Sequence, residues 1–459
     1  MRHLLQATAT HLPLAPESVQ CIVTSPPYWG LRAYAGEQSQ TWGGDPAHEH
    51  DWAAVPGGES YTGASRWQHN DKEGRADQGI TRATHPEAWA QIERGGTCDC
   101  GAWRGGLGLE PLPDCLAWAR GEPPCPVCFV CHMRTVFAEL WRVLRKDGTC
   151  FVNLGDSYAT NGTSGGASPD GPRQPRAQDR AAQEAMGRRV PPGLKPKDLI
   201  GVPWRVALAL QADGWWLRSE IIWAKPNPMP ESVTDRPTKA HEQVFLLTKS
   251  ARYFYDADGA REEAQYGRRE QPSSTWERAG DADAPKRVVG ATRGGDPSAG
   301  RNARTVWTIP TQVYPGSHFA TFPEALAERC ILAGTSPKAC GVCAAPWARV
   351  VERTGNYEGE RAGATVYTGQ AYDHPQSAPR GPASNFGETR TLTIGWAATC
   401  SHNDDTGRCV VLDPFAGTGT VARVALRHGR HAVGIDISRE YLLEHAMKRA
   451  DRVQTEMGI

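Results

Sequence analysis

The sequence predicts an α/β fold built on a mainly parallel sheet and interrupted by Cys/His-bearing insertions. Three observations predict it. Short apolar runs alternate with segments of helical periodicity, the pattern of strands joined by crossover helices. A glycine-rich turn, Asp413-Pro-Phe-Ala-Gly-Thr-Gly-Thr420, follows one apolar run and opens a periodic segment. Two long polar stretches, 45–132 and 335–408, carry most of the 13 cysteines and little that could build a core of their own.

The first apolar run, Val19 to Val23, ends in Thr24-Ser25-Pro26-Pro27-Tyr28-Trp29; two prolines cannot continue a central strand, so a strand running into a loop is expected. Met133, Val136, Phe137, Leu140, Trp141 and Leu144 have helical spacing, with Gly148 just past the end. Thr149 to Leu154 reads as a strand, 160–196 as a mobile loop, and Leu199 to Leu210 as a helix. Trp215 to Trp223 and Val244 to Thr248 read as strands, and Pro323 to Leu332 as a helix. A strand (Cys409 to Leu412), a helix (Val421 to His428) and a strand (Ala432 to Ile435) close the pattern.

At 459 residues the chain is longer than one core needs, and 39% apolar residues suffice to build one. Net charge is zero, so any nucleic-acid surface must come from local segregation of charge. No run of 18 apolar residues exists and the first residues lack the apolar centre of a signal peptide, so a cytoplasmic protein with no membrane partner is expected. In that compartment cysteines favour metal over disulfides.

The glycine turn is the strongest sign of a ligand. Gly417 and Gly419 permit a tight turn and close approach to the backbone, and Asp436, 23 residues after Asp413, ends the next strand where an acid can accept hydrogen bonds from ribose hydroxyls. The turn lacks both the G-x-G-x-x-G spacing of a dinucleotide site and the lysine of a P-loop. A nucleoside without phosphates fits better, and S-adenosyl-L-methionine is one.

Together, Thr24-Ser25-Pro26-Pro27-Tyr28-Trp29 and Asp413 to Thr420 resemble the DNA amino-methyltransferases. In that family a Ser/Asp/Asn-Pro-Pro-Tyr/Phe motif holds the target base and a Phe-x-Gly-x-Gly motif holds adenosylmethionine. The base motif comes first here, which resembles the family's permuted β group. Gly316-Ser-His-Phe-Ala-Thr-Phe-Pro323 resembles the segment that binds the methionine part of the cofactor, and Lys225-Pro-Asn-Pro-Met-Pro through Thr238-Lys-Ala-His-Glu242 resembles the loop near the flipped base.

The resemblance implies a permuted, Rossmann-like methyltransferase sheet, into which the Cys/His spacing places zinc-binding insertions. Its divisions are 1–44 (first part of the core, with the base motif), 45–132 (Cys/His-rich insertion), 133–255 (rest of the base-binding half), 256–310 (target recognition), 311–334 (methionine segment), 335–408 (zinc-ribbon-like insertion) and 409–459 (adenosylmethionine-binding half). It implies His318, Phe319, Phe322, Asp413, Pro414, Phe415, Gly417, Gly419, Thr420 and Asp436 as cofactor-binding residues. The chain ends at Ile459, soon after the helix that follows Asp436, which leaves little room there for the family's next strand and its adenine-contacting loop.

The chemistry suits these residues. An exocyclic amino nitrogen is a poor nucleophile because its lone pair is delocalised into the ring. Acceptors at the two amino hydrogens favour a tetrahedral nitrogen, and the Pro26 carbonyl and the Ser25 side chain are candidates. Pro27 stiffens the loop and Tyr28 offers a face for an extruded base. Catalysis is then positioning and electrostatics.

Three donor groups have metal spacing: His48-x-His50 with Cys98-x-Cys100; Cys115, Cys125, Cys128 and Cys131, with His132 in reserve; and Cys340-x-x-Cys343 with Cys400-x-His402. The first and third look like versions of one module, each with a Cys arm leading into a tryptophan, Trp103 or Trp347. Cys/His sets suit two to three structural zinc ions. Cys21, Cys150 and Cys330 read as small core residues, and Cys409 as a spare ligand or strand core.

The expected partner is double-stranded DNA, met through basic stretches at 171–197 and 261–305, with a cognate restriction endonuclease as functional partner and a monomeric or homodimeric chain. The expected reaction is methylation of cytosine N4 at a specific site, as in restriction-modification or phage self-protection, because Ser-Pro-Pro variants of the family mostly modify cytosine. The alternatives are adenine N6 methylation, RNA methylation, and a zinc-dependent DNA-binding protein with a decayed catalytic core.

Overall fold

Strands form where apolar and β-branched residues run together, and in the middle of the sheet those runs are buried on both faces. The computed structural model describes residues 2–29, 39–45, 47–50, 53–54, 96–110, 112–159, 193–262, 301–312, 323–354, 365–366 and 390–457. Among them eight strands make the central sheet: β1 (Arg2–Gln6), β2 (Val19–Thr24), β3 (Leu144–Leu154), β4 (Trp216–Ala224), β5 (His241–Thr248), β6 (Val306–Thr308), β7 (Val410–Asp413) and β8 (His431–Asp436). Their order is β1-β8-β7-β2-β3-β5-β4-β6. All neighbours are parallel except β3–β5 and β5–β4. The expected mainly parallel α/β sheet is observed.

Helices cover both faces, so the strands read as near-continuous apolar runs. On one face α1 (Phe129–Val143) and α2 (Val202–Ala212) pack over Ile22, Cys150, Val152, Phe245 and Leu247. On the other, α3 (Glu324–Gly334), α4 (Thr420–Arg427) and α5 (Met447–Met457) pack over Cys21, Val23, Phe151, Val244 and Leu246. The period-two split of β2, β3 and β5 between two cores is what a fully covered sheet requires. Cys21, Cys150, Cys330 and Cys409 are all buried.

Two elements differ from the sequence reading. The helix expected from Met133 begins at Phe129, because the Cys128 side chain accepts the Cys131 N–H and caps it. The first residues, to which the sequence reading assigned no element, form β1 at the sheet edge; Arg2 to Gln6 pair in parallel with Ala432 to Asp436. The neighbour that β8 seemed to lack is therefore supplied from the other end of the sequence.

Two small antiparallel sheets are separate from the central one, though Trp42 and Trp103 of the first join the core under α1. One takes residues 39–42, 103–106, 96–97 and 53–54, and the other takes 365–366, 348–354 and 390–397. Among the described residues no helix is long and apolar enough to cross a membrane.

Candidate active site and metal centres

β2 and β7 are hydrogen-bonded neighbours, with Cys21 opposite Val411 and Ile22 opposite Leu412. The chain leaves them in opposite directions across the sheet, β7 toward β8 and β2 toward β3. Such a switch point opens a crevice beyond the carboxyl ends of the strands. The two motifs flank it. Thr24 Oγ1 donates to Asp413 Oδ1 over 2.8 Å, tying the base loop to the glycine turn across 389 residues of sequence.

Within the turn, Phe415 N–H donates to the same Asp413 oxygen at 3.1 Å. Burial lifts the Asp413 carboxyl to about 7 against the bonds from Thr24 and Phe415, with the nearby Asp436 adding to the rise. Asp413 is thus an inward strut. Asp436 accepts Gly417 N–H and Ser438 N–H, each at 2.9 Å. Burial raises its carboxyl above the usual range against those two bonds.

Phe415 and Gly417 are half-buried, whereas Pro414, Gly419 and Thr420 are buried. Gly417 has φ 47°, and a Cβ there would meet nothing closer than Phe415 O at 3.9 Å, so this glycine leaves an open side. Gly419 also makes room for packing. Its φ is 73°, and a Cβ would come within 2.8 Å of Ala446 Cα, so it lets the C-terminal helices pack against the turn. Arg449 on α5 braces the turn, donating to Thr418 O at 3.3 Å, to Thr418 Oγ1 and Thr420 Oγ1 at 3.0 Å, and to Glu324 of α3 at 2.8 Å. His318, Phe319 and Phe322 lie outside the described residues. β1 ends beside the acid: Ala7 N–H donates to Asp436 O at 3.2 Å.

In the base loop Pro26 is buried, and Ser25, Pro27 and Tyr28 are half-buried. Gly155 seats the Tyr28 ring; a Cβ there would lie 2.6 Å from two ring carbons. Ser25 Oγ donates to Tyr28 OH at 3.1 Å, and Tyr28 OH donates to Glu242 Oε2 at 2.7 Å. Asn153 Nδ2 donates to Glu242 Oε2 at 2.8 Å and to Tyr28 OH, and Lys225 Nζ donates to Glu242 Oε1. Burial pushes the Glu242 carboxyl up, but the Lys225 charge and the bonds from Lys225, Tyr28 and Asn153 outweigh it and hold the group below the ordinary glutamate range. The site reading had missed Asn153 and Glu242 as individual residues. A polar residue inside the apolar run Cys150 to Leu154 was the available signal for Asn153, since buried polar groups are the informative ones.

The N-terminal insertion backs this loop. Trp29 Nε1 donates to Glu110 O at 3.0 Å, and Gly108, at φ 93°, allows the Tyr28 carbonyl to approach; a Cβ there would lie 2.9 Å from it. Glu110 accepts Gly108 N–H at 2.8 Å and lies 2.8 Å from His132 Nδ1, with both side chains buried. His132 Nε2 faces Pro126 O at 2.8 Å, and Trp42 stacks on the ring at 3.9 Å. Both ring nitrogens are engaged, so His132 is a strut and no reserve metal ligand.

The three donor groups assemble as grouped from sequence: His48, His50, Cys98 and Cys100; Cys115, Cys125, Cys128 and Cys131; Cys340, Cys343, Cys400 and His402. In each, the ligand atoms lie within 4.8 Å of one another. Tetrahedral thiolates about 2.3 Å from zinc would stand about 3.8 Å apart. Cys115 Sγ lies 3.6 Å from both Cys128 Sγ and Cys131 Sγ, and Cys100 Sγ lies 3.4 Å from His50 Nδ1. The Cys343 amide, joined by that of Val342, lowers the Cys340 thiol to about 7.

In the basic stretches the cations among the described residues stand beside acids. Lys195 and Lys197 pair with Asp198 and Asp235, and Arg301 and Arg304 pair with Glu262. Their other arginines, apart from Arg261 and its partner Asp258, lie outside the described residues.

Against known proteins, the model of the N6/N4 methyltransferase family, described as DNA methylase, matches residues 128–340 and 400–448. The chain is 34% identical over 438 residues to the Type II methyltransferase M.XycI of Xanthomonas campestris pv. cyanopsidis, a match spanning 95% of this chain and 82% of that one. It is 36% identical over 314 residues to the Type II methyltransferase M.Cfr9I of Citrobacter freundii, spanning 68% of this chain and 69% of that one. Among solved structures, PvuII DNA methyltransferase (cytosine-N4-specific) aligns at TM-score 0.40 and 11% identity over 99% of this chain and 93% of that one.

Proposed function

The chain belongs to the N6/N4 family of DNA methylases, and we propose that it transfers the methyl group of S-adenosyl-L-methionine to the N4 amino group of cytosine within a specific DNA sequence. The observation that carries this reading is the Thr24–Asp413 hydrogen bond, which fastens the base loop to the glycine turn at the switch point. Two loops so joined open on one crevice, and a nucleoside on the turn and an extruded base on the loop become neighbours there. Ser25 in place of an aspartate favours cytosine over adenine by the family resemblance. The Type II relatives favour site-specific modification paired with a restriction endonuclease.

Bound adenosylmethionine supplies an electrophilic methyl group; the rest is the work of this chain. Asp436 and the open side of Gly417 would hold the nucleoside. Ser25 Oγ and the Pro26 carbonyl accept from the amino group, and Tyr28 stacks on the base. The three Cys/His groups hold zinc, a reading supported by the donor chemistry and the sulfur spacing.

The test is tritiated-methyl transfer to DNA with nucleoside analysis of the product. Label in N4-methylcytosine is expected, while label in N6-methyladenine selects the adenine reading. Tyr28→Ala should weaken productive base binding by about 1–3 kcal/mol, the value of one stacked base. Wild-type transfer by both Ser25→Ala and Tyr28→Ala would place the active site elsewhere.

A further inference from the structure

Behind the base loop runs a hydrogen-bonded line that stacking and amine recognition do not themselves require. Ser25 Oγ, Tyr28 OH and Glu242 Oε2 stand in series at 3.1 and 2.7 Å. A carboxylate held by an ammonium can only accept, so the Tyr28 hydroxyl hydrogen points at Glu242. The phenol oxygen is then left to accept, and it accepts from Ser25 and from Asn153. The Ser25 hydrogen therefore points inward, and of the oxygen's two lone pairs one lies toward Asn153 Nδ2 at 3.5 Å, which leaves the other to accept. Every O–H in the line is aimed at Glu242.

We propose that this line is the exit path for the proton that the base amino group loses on methylation. The inference rests on the reading that the amino group sits at Ser25. As the N–CH3 bond forms and the donor's S–CH3 bond breaks, one amino N–H bond breaks and its proton joins Ser25 Oγ. The proton already on Ser25 passes to Tyr28, and that of Tyr28 passes to Glu242 Oε2. The balance closes. The positive charge that enters on the sulfonium ends by neutralising the Glu242 carboxylate, and the base, Ser25 and Tyr28 all finish neutral.

The end of the line suits the task. An N-protonated amino base is a far stronger acid than any carboxylic acid, so a weakly basic carboxylate suffices as acceptor. Glu242 is ionised beforehand at neutral pH and releases its proton to solvent afterwards, because Lys225, Tyr28 and Asn153 favour its charged form over the effect of burial. Lys225 lies against Glu242 and over the Trp223 ring, 4.4 Å from its centroid, which fixes the ammonium in place.

The experiment is single-turnover methyl transfer by the full-length protein on target DNA, with Tyr28→Phe, Glu242→Gln, the double variant and Ser25→Ala. Tyr28→Phe keeps the stacking ring and loses only the relay oxygen. It and Glu242→Gln should each slow transfer on the order of 100-fold, the scale of a lost proton-transfer partner. Affinities for DNA and for adenosylmethionine should stay within about threefold, which separates chemistry from binding. The double variant should be no slower than the slower single one, because a line cut once is already cut. The rate in mixed light and heavy water should curve with deuterium fraction in the wild type and become linear in Tyr28→Phe.

Wild-type turnover by Tyr28→Phe alongside slow Ser25→Ala would overturn the relay and leave the site reading standing. Wild-type turnover by Ser25→Ala alone would overturn the relay, and wild-type turnover by both Ser25→Ala and Tyr28→Ala would remove the site reading itself. Multiplying losses in the double variant would show two separate roles and also overturn the relay. Should Glu242→Gln fail to fold around Lys225, Tyr28→Phe and its isotope curve decide alone.

Discussion

The first and third Cys/His groups solve the same local problem at opposite ends of the sheet. In the N-terminal group, His48 and His50 follow the strand 39–42, and Cys98 and Cys100 precede the strand 103–106, with Trp42 opposite Trp103. In the C-terminal group, Cys340 and Cys343 precede the strand 348–354, and Cys400 and His402 follow the strand 390–397, with Ala348 opposite Ala397. Each set of donors closes the open end of an antiparallel pair, although the two arms come in opposite sequence order. A metal held by those donors would tie the two chain segments together at that end.

Their positions differ. The N-terminal group belongs to the insertion whose Gly108, Glu110 and His132 stand behind Tyr28 and Trp29, at the carboxyl edge of the parallel strands. The C-terminal group meets the other edge. Gln20, near the start of β2, donates to Ala344 O at 2.8 Å and accepts Val410 N–H at 2.6 Å, and Arg145, near the start of β3, donates to Cys343 O at 2.7 Å. One donor pattern therefore stands at two ends, and among the described contacts the N-terminal one lies beside the proposed site.

The largest expected effect tests that division with metal. Cys128→Ser, in the second donor group of the same N-terminal insertion, and Cys400→Ser at the far edge should each lose one zinc per chain by elemental analysis. Cys128 also caps α1 and packs in the main core, so its loss should lower single-turnover methyl transfer by about 100-fold or more, as for misplaced catalytic groups. Cys400→Ser should melt at lower temperature yet lose less than about threefold in turnover. Equal turnover losses would erase the distinction between the edges.

A smaller contrast compares two buried carboxylates. Glu110 holds His132 and Gly108 behind the base loop. Asp256 holds Arg349 of the far hairpin, with bonds of 2.6 to 3.0 Å. Removing one partner of a buried pair costs about 3–5 kcal/mol, so Glu110→Ala and Asp256→Ala should lower the denaturant midpoint alike. Only Glu110→Ala should also slow methyl transfer under conditions where both variants remain folded. If Asp256→Ala slows it as much, the far ribbon is coupled to the site by a route other than these contacts.

What the sequence made legible follows the same geography. Motifs whose function depends on local order, such as Ser25 to Tyr28, the Asp413 to Thr420 turn and each ligand-x-ligand pair, could be read because their residue types are constrained over a few positions. Contacts made across the sheet could not. β1 was hidden because Arg2 to Gln6 is a short edge strand whose partner, β8, lies more than 400 residues away. Glu242 and Glu110 were hidden because a single acid carries no periodicity, and only the fold shows that each is buried against a named partner. The packing role of Gly419 was hidden because a positive φ serves ligand approach and helix packing equally well, and only the fold brings Ala446 against it.

The smallest expected effect separates the edges by charge. Asp413 is fully buried at the catalytic edge, and burial has raised its carboxyl to about 7. A carboxyl raised on folding binds its proton more tightly in the native state, and an unfolded aspartate titrates near about 3.9. Its contribution to stability is therefore fully present below about pH 4 and is lost as the pH rises through about 7. Asp413→Asn cannot ionise, but it keeps an oxygen to accept from Thr24 and Phe415. Without methyl donor, Asp413→Asn should be the more stable protein at pH 8, by about 1–3 kcal/mol in denaturant unfolding. That gap should shrink steadily below pH 7 and vanish near pH 4. Parallel unfolding curves at every pH would show that Asp413 is not held neutral by its surroundings. A gap that follows this course would mean the crevice floor carries a buried acid at a cost in stability, as a site built around a ligand does.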